Sequence, residues 1–146
     1  MTDHPQLKLD VQLCFPLYAA TRAVTRAYTE LLAETGLTYP QYLTMLALWE
    51  APEPLTVGEL GRRLRLDSGT LTPLLKRLEA AGHVTRRRDT EDERRVHLEV
   101  TPQGRRLRDQ VADVPLRLND DMGLPLKDAK ELRRLLRSLL ENLDDH

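Results

Sequence analysis

DSGTLTPLLKRLEAAGHVTRRR, residues 67–88, is the stretch on which the reading of the fold turns. Leu71, Leu74, Leu75 and Leu78 recur at three- and four-residue steps and mark one face of a helix, which Gly82 ends. Ser68, Thr70, Thr72, Lys76 and Arg77 occupy the opposite, polar face. Pro73 is awkward in this pattern. Local rules prefer it in a first turn with Thr72 as cap, whereas Asp67-Ser68 suggests an earlier start. A helix from Ser68 needs a tight or bent first turn to accommodate the ring.

Working outward, residues 83–88 and 94–101 read as two strands. Val96, Leu98 and Val100 alternate with His97 and Glu99, the period of two of a half-buried strand. Residues 89–93 between them are too polar to bury and form a hairpin tip. Upstream, Thr56-Val57-Gly58-Glu59 is a capping box that opens a short helix through about Leu64, followed by a break at residues 66–69. A short helix, a tight turn, a helix with a polar face and a basic hairpin make a winged helix–turn–helix.

The flanks are helical. Leu17, Ala20, Val24, Ala27 and Leu31 predict a helix over 16–35 stopped by Gly36. Thr38, with Pro40 and Gln41 after it, caps another helix that runs to about Glu50 and stops at residues 51–54. Thr101-Pro102 starts a helix striped by Leu107, Val111, Val114 and Leu118, which Pro115 bends or interrupts. After a break at 123–125, Leu132, Leu135, Leu136, Leu139, Leu140 and Leu143 line a last helix. The expected fold class is mainly α with a small β-hairpin wing, dimerised through the N- and C-terminal helices. Residues of about 8–50 and 102–146 supply the dimer helices of one protomer, 1–146, and about 54–101 the DNA-binding region. Full burial of each leucine is worth roughly 1.5–3 kcal/mol, so two apolar stripes left in water are implausible. Packing within the chain and across a two-fold homodimer both serve.

A chain of 146 residues, 40% hydrophobic, 31% charged and 4% aromatic, suits one soluble, helix-rich domain or protomer. No apolar run approaches the roughly 18–20 residues of a membrane span. The first residues lack the layout of a signal peptide, and one cysteine without an export signal fits a reducing cytoplasm. His4, His83, His97 and His146 are scattered without ligand spacing, and neither metal nor cofactor is expected. Charge is more telling. Residues 62–88 hold eight Arg and Lys against Asp67 and Glu79, a local +6 in a chain of net −1. A basic middle in an otherwise acidic chain is the electrostatic footprint expected of a nucleic-acid contact, with a solvated charged face as the alternative on charge alone; double-stranded DNA is the partner expected once the helix pair and hairpin are counted.

The polar face of the 68–81 helix carries side chains that reach phosphates and base edges in a major groove. Arg86, Arg87 and Arg88 flank the hairpin on one side, Arg94 and Arg95 on the other. The tip would reach the narrower minor groove, where arginine is favoured. In Asp92-Glu93-Arg94 the acid can orient the guanidinium by an ion pair. Two protomers would place their recognition helices one turn apart on a pseudo-palindromic operator.

Cys14, in LCFPLYAATRAVTRAY, is the single cysteine. It cannot form an internal disulfide or a zinc site, so it is either a small buried hydrophobe or a reactive group. An ordinary thiol of pKa about 8.5 is only a few per cent thiolate at neutral pH. Pro16 suits a first helical turn, which places Cys14 by unpaired N–H groups and the positive dipole end, and tyrosine hydroxyls can donate to a charged sulfur.

The segments LCFPLYAA (13–20), TRAY (25–28), GLTYPQYL (36–43) and LTPLLKRLE (71–79), with the wing from Asp89 to Arg95, resemble the multiple-antibiotic-resistance regulator (MarR) family of winged-helix repressors over nearly the whole chain. Within it the chain is most similar to the organic-hydroperoxide-resistance repressors (OhrR). The Cys14 segment with its tyrosines is the specific part. The resemblance implies a dimeric repressor that releases its operator when an organic hydroperoxide oxidises Cys14. Tyr28 and Tyr39 would then approach the thiol across the dimer interface, with Tyr18 also supporting it, and Phe15, Leu17 and Met45 would line the peroxide pocket. Ser68, Thr70, Thr72, Lys76 and Arg77 would face the major groove, Arg94 the minor groove, with Arg86, Asp92 and Arg95 beside them. The absence of a second cysteine matches the one-cysteine type, whose sulfenic acid must meet a low-molecular-weight thiol, cyclise with a backbone nitrogen, or be over-oxidised. Two alternatives stand beside this reading. One is a regulator of the same fold that answers to a small aromatic or phenolic ligand. The other is a one-cysteine thiol peroxidase, which has no use for a basic wing.

Overall fold

The structure is a computed structural model that describes residues 2–144; His146 lies outside the described residues. Two compact units divide after Ala112. The first opens with 3₁₀ turns at Pro5–Leu7 and Leu9–Val11, then α1 (Cys14–Leu31) and α2 (Tyr39–Glu50). β1 (Leu55–Thr56), α3 (Val57–Leu64), α4 (Ser68–Ala80), β2 (Val84–Arg88), β3 (Val96–Val100) and α5 (Pro102–Gln110) follow. The second unit holds α6 (Val114–Met122) and α7 (Leu126–Asp144).

The caps form as the side chains dictate. Thr38 Oγ1 accepts the Gln41 N–H at 3.3 Å while the Gln41 side chain accepts the Thr38 N–H at 3.0 Å. Thr56 and Glu59 repeat the reciprocal arrangement at 3.1 and 3.0 Å. Asp67 caps α4 through the Thr70 N–H at 2.9 Å, which settles the start of that helix at Ser68. Pro73 therefore lies inside α4. Its ring withholds the donor that Gly69 C=O would otherwise receive. Both residues are exposed, so water can serve that carbonyl.

Tyr42, Met45, Ala47 and Leu48 of α2 are buried with Leu60 of α3, the four leucines of α4, Val84, Leu98 and Leu107. α2 packs against α1, α3, α4, α5 and β3, which makes it the centre of the first unit. The sheet is antiparallel in the order β1-β3-β2, with Arg86 opposite Leu98 and Arg88 opposite Val96.

Some expectations need correction. The helix predicted over 16–35 is α1 over Cys14–Leu31 followed by a separate 3₁₀ turn, Ala33–Thr35. Thr35 Oγ1 donates to Leu32 C=O at 2.7 Å and accepts the Leu37 N–H at 3.2 Å, holding that turn before Gly36. Arg94 and Arg95 belong to the tip and not to a strand, because Asp92 takes the Arg94 N–H on its carboxylate and the Arg95 N–H on its carbonyl. The strand expected from residue 83 starts at Val84. β1, two residues long, pairs Leu55 with Leu98 and Thr56 with His97 and was too short to show an alternation. The interruption at Pro115 is a full break between α5 and α6, with the proline in the first turn of α6.

In the second unit, Leu132, Leu135, Leu140 and Leu143 of α7 are exposed. No helix among the described residues is long and apolar enough to cross a membrane.

Candidate nucleic-acid interface and thiol site

On α4, Ser68, Thr70, Lys76 and Arg77 are exposed while Leu71, Leu74, Leu75 and Leu78 are buried, so packing of one face fixes presentation of the other. Thr72 is half-buried. It lines one cleft with Arg86, Arg94 and Arg95 against the start of α3. Four of the residues expected at DNA thus come together in space although 23 positions separate the first from the last.

The arginines differ in what they are free to do. Arg86 donates to both Glu79 carboxylate oxygens, at 3.1 and 3.4 Å, and ties β2 to α4. These bonds hold the Glu79 carboxyl below its usual range. Arg87 pairs with Glu99 at 2.8 Å across the hairpin, and Arg63 pairs with Glu50. Arg88 donates to Glu93 C=O at 3.1 Å and helps close the tip. Arg94 Nε lies 3.2 Å from Asp92 Oδ1, the ion pair anticipated for the wing, yet its side chain is 92% exposed. Such a guanidinium is aimed without being enclosed. Lys76 and Arg77 have no ion-pair partner among the described residues.

At the root of the wing, Asp89 links several groups. Its Oδ1 accepts the Glu91 N–H at 2.9 Å, and its Oδ2 lies 3.2 Å from His97 Nε2 and 3.8 Å from Arg95. The Glu91 N–H and then His97 lower the Asp89 carboxyl. Arg95 also reaches Glu59, the α3 capping residue, at 3.8 Å. The tip is thereby held to α3 as well as to its own strands.

A joint behind the wing has no signature in the local sequence. Trp49 Nε1 donates to Gly104 C=O at 3.0 Å, Thr101 Oγ1 to Gly82 C=O at 2.6 Å, and Gln103 to Ala81 C=O at 3.1 Å. A Cβ at Gly104 would run into the His83 carbonyl oxygen, so only glycine lets α5 approach this closely. His83 is buried, its Nδ1 has no hydrogen-bond partner among the described residues, and burial pushes its pKa down. These contacts join residues 19 to 55 positions apart, which no local pattern reveals.

Cys14 is the first residue of α1 and is exposed. Phe15 is 46% and Tyr18 61% exposed, and Leu17 is half-buried. Tyr18 lies four residues on, on the same helix face, with the Arg22 guanidinium 5.7 Å from its ring centroid. Met45 is wholly buried and is a core side chain within the protomer, so no surface there receives a peroxide. Tyr28 and Tyr39 are brought together, stacked at 4.1 Å and 8°, with Tyr42 tilted against Tyr28 at 5.3 Å. Burial, then the proximity of Tyr39 and Tyr42, pushes the Tyr28 phenol up to about 12, and burial raises the other two. All three stay protonated donors at neutral pH. Fourteen residues of helix place Tyr28 about 21 Å along α1 from Cys14, too far for contact within one protomer. Among the described residues no cluster of His, Cys, Asp or Glu is arranged to hold a metal ion.

The family described as "Transcriptional regulator SarA/Rot" matches residues 26–111. The HTH-type transcriptional regulator TtmR of Methylorubrum extorquens (strain PA1) is 52% identical over 141 residues, covering 97% of this chain and 71% of that protein. The organic hydroperoxide resistance transcriptional regulator of Bacillus subtilis (strain 168) is 48% identical over 144 residues, covering 97% and 94%. Among solved structures, reduced AbfR bound to DNA, a protein of Staphylococcus epidermidis, superimposes with TM-score 0.78 at 37% identity, covering 94% of this chain and 96% of that one.

Proposed function

Because the chain belongs to the SarA/Rot family of MarR-type winged-helix transcriptional regulators, we propose that it is a DNA-binding repressor that senses organic hydroperoxides through Cys14 and then releases its operator. The observation that carries the reading is the exposed single thiol at the first turn of a helix, among apolar side chains, in a chain 48% identical to an organic hydroperoxide resistance regulator. That relative supports the signal, and the DNA-bound state of reduced AbfR supports binding by the unoxidised form.

The chemistry is a two-electron oxidation. The Cys14 thiolate attacks the distal peroxide oxygen, the O–O bond breaks, and a proton is taken up by the departing alkoxide. Sulfur becomes a sulfenic acid and the hydroperoxide an alcohol. Exposed Leu13, Phe15 and Tyr18 favour an alkyl-bearing peroxide over hydrogen peroxide. With no second cysteine, a low-molecular-weight thiol resolves the product.

Dimerisation completes the proposal. Leu7, Leu9, Val11, Leu13 and Phe15 at one end of the chain and Leu126, Leu132, Leu135, Leu140 and Leu143 of α7 at the other are exposed in the single protomer, and large exposed apolar surfaces mark interaction sites. A second copy covers them and supplies the tyrosines that α1 holds away from its own thiol. Added bulk and polarity at that interface then shift one wing relative to the other and spoil half-site spacing.

A gel shift on the chain's own upstream region, with and without an alkyl hydroperoxide, tests this. Wild type releases the DNA on treatment and Cys14→Ser stays bound. Release by the Ser variant, or undiminished binding by stoichiometrically oxidised wild type, defeats the peroxide reading.

A further inference from the structure

The tip of the wing carries acids where a DNA-facing element wants cations. Four of the five residues from Asp89 to Glu93 are Asp or Glu, and like charge set against a polyphosphate weakens association. Glu91 and Glu93 are exposed, where water and salt screen them, and Asp92 aims Arg94. Asp89 is different. Its side chain is only 18% exposed, as is that of His97 beside it. The Glu91 N–H first, and then His97, hold its carboxyl below the usual range, so it stays charged at neutral pH.

That carboxylate closes the tip at both ends. Oδ1 accepts the Glu91 N–H at 2.9 Å on the way into the turn. On the way out, the Asp89 N–H donates to Arg95 C=O at 2.9 Å, and Oδ2 stands 3.8 Å from the Arg95 guanidinium. An ionised carboxylate only accepts, so His97 Nε2, 3.2 Å from Oδ2, is the donor of that bond. Arg94 lies between these two anchored ends. Its own ion pair with Asp92 spans two positions and travels with the tip, so it cannot fix where the guanidinium stands relative to β3.

We infer that Asp89, clasped by His97 and Arg95 at the root of the wing, is a positioning residue that sets where Arg94 meets DNA. This deepens the DNA-binding reading above and rests on it. The sign of one substitution separates it from electrostatics alone. Asp89→Asn keeps an oxygen for the Glu91 N–H but turns an amide NH2 towards Arg95 and His97, which are donors themselves. It also removes a negative charge from the wing. Attraction to phosphates by itself then gives tighter binding, whereas loss of the clasp gives weaker binding.

Binding is read by anisotropy at fixed salt on two labelled duplexes, the chain's upstream region and a random sequence of equal length, with melting curves alongside. The proteins are wild type, Asp89→Asn, His97→Leu, Arg94→Ala, and each of the first two substitutions combined with Arg94→Ala. Asp89→Asn should bind the upstream duplex about fivefold more weakly or worse, the lower edge of a lost groove contact. His97→Leu, which removes the donor and leaves every wing carboxylate in place, should shift the same way. In the Arg94→Ala background neither should cost much more, because a residue that acts through Arg94 has nothing left to place. Asp89→Asn binding as tightly as wild type, or tighter, would overturn the inference, as would His97→Leu binding like wild type. So would equal losses with and without Arg94, which mark a structural role. If Asp89→Asn shows no melting transition, the His97→Leu cycle decides by the same criteria. Wild type binding neither duplex would instead remove the DNA-binding reading, and this inference with it.

Discussion

Removing the wing arginine separates what holds the tip together from what the tip does. In Arg94→Ala the missing ion pair joins side chains 92% and 38% exposed, so water and salt screen it and its contribution to the fold is about 0–1 kcal/mol. The turn survives, because Asp92 still accepts the backbone N–H groups of residues 94 and 95. A stability change of that size moves the melting temperature by no more than about 4 °C. If the guanidinium makes a specific groove contact, its removal costs about 1–3 kcal/mol of DNA affinity, roughly 5- to 150-fold. Asp92→Ala should weaken binding and also lower stability, since it removes the carboxylate that accepts the Arg94 N–H, while the residue 92 carbonyl still takes the Arg95 N–H. Asp92→Asn keeps an oxygen for the Arg94 N–H and should fall between. Anisotropy on the upstream duplex at fixed salt, paired with thermal melts, reads both quantities. Arg94→Ala binding like wild type would refute the reasoning, as would a drop in affinity explained by a matching drop in stability.

Three further outcomes are expected. Tyr28→Phe preserves the stack on Tyr39 but removes a phenol donor, so it should slow Cys14 oxidation by an alkyl hydroperoxide in stopped-flow assays; an unaltered rate clears Tyr28 of the sensing role. Gly104→Ala should lower stability by about 1–3 kcal/mol, although alanine is favoured by about 0.8–1.0 kcal/mol in an ordinary helix, because the new Cβ meets the His83 carbonyl and stands 2.9 Å from Val100. Urea titration followed by Trp49, the single tryptophan, reports it, and a midpoint at or above wild type contradicts it. His83 titrates below its ordinary 6.5 when folded, so as pH falls through 6.5 the unfolded chain takes the proton first. Stability should decline from there towards the folded pKa, by at most about 1.4 kcal/mol per pH unit. The lowered carboxyls of Glu59, Asp67, Glu79 and Asp89 act only at lower pH. His83→Leu should flatten this decline between about pH 7 and pH 5; identical slopes in the two proteins would dismiss it.

Much of the geometry of the proposed DNA-facing site was legible because its determinants are local. Caps act over three residues, so Thr38 with Gln41, Thr56 with Glu59, and Asp67 announced where helices begin. The leucine stripe of α4 set which side chains face outward, and Asp92 with Arg94 lie two positions apart. The commitments of Arg86 to Glu79 and of Arg87 to Glu99 were hidden, since the hairpin register creates them. Met45 was misjudged because apolarity does not distinguish a pocket wall from a core. The thiol site was half legible. Cys14 and its apolar neighbours stand in one segment, but the stacking of Tyr28 on Tyr39 arises only where α1 and α2 meet.

The amino-acid sequence by itself determined the succession of elements, the polar and apolar faces of α4, the basic hairpin and the solitary thiol, because each follows from periodicity, capping chemistry or composition within a few positions. Only the tertiary structure decided which arginines are already spoken for, and that α5 closes on the root of the wing through Gly104 and Trp49. Those features depend on distances between atoms far apart along the chain, and packing alone sets such distances.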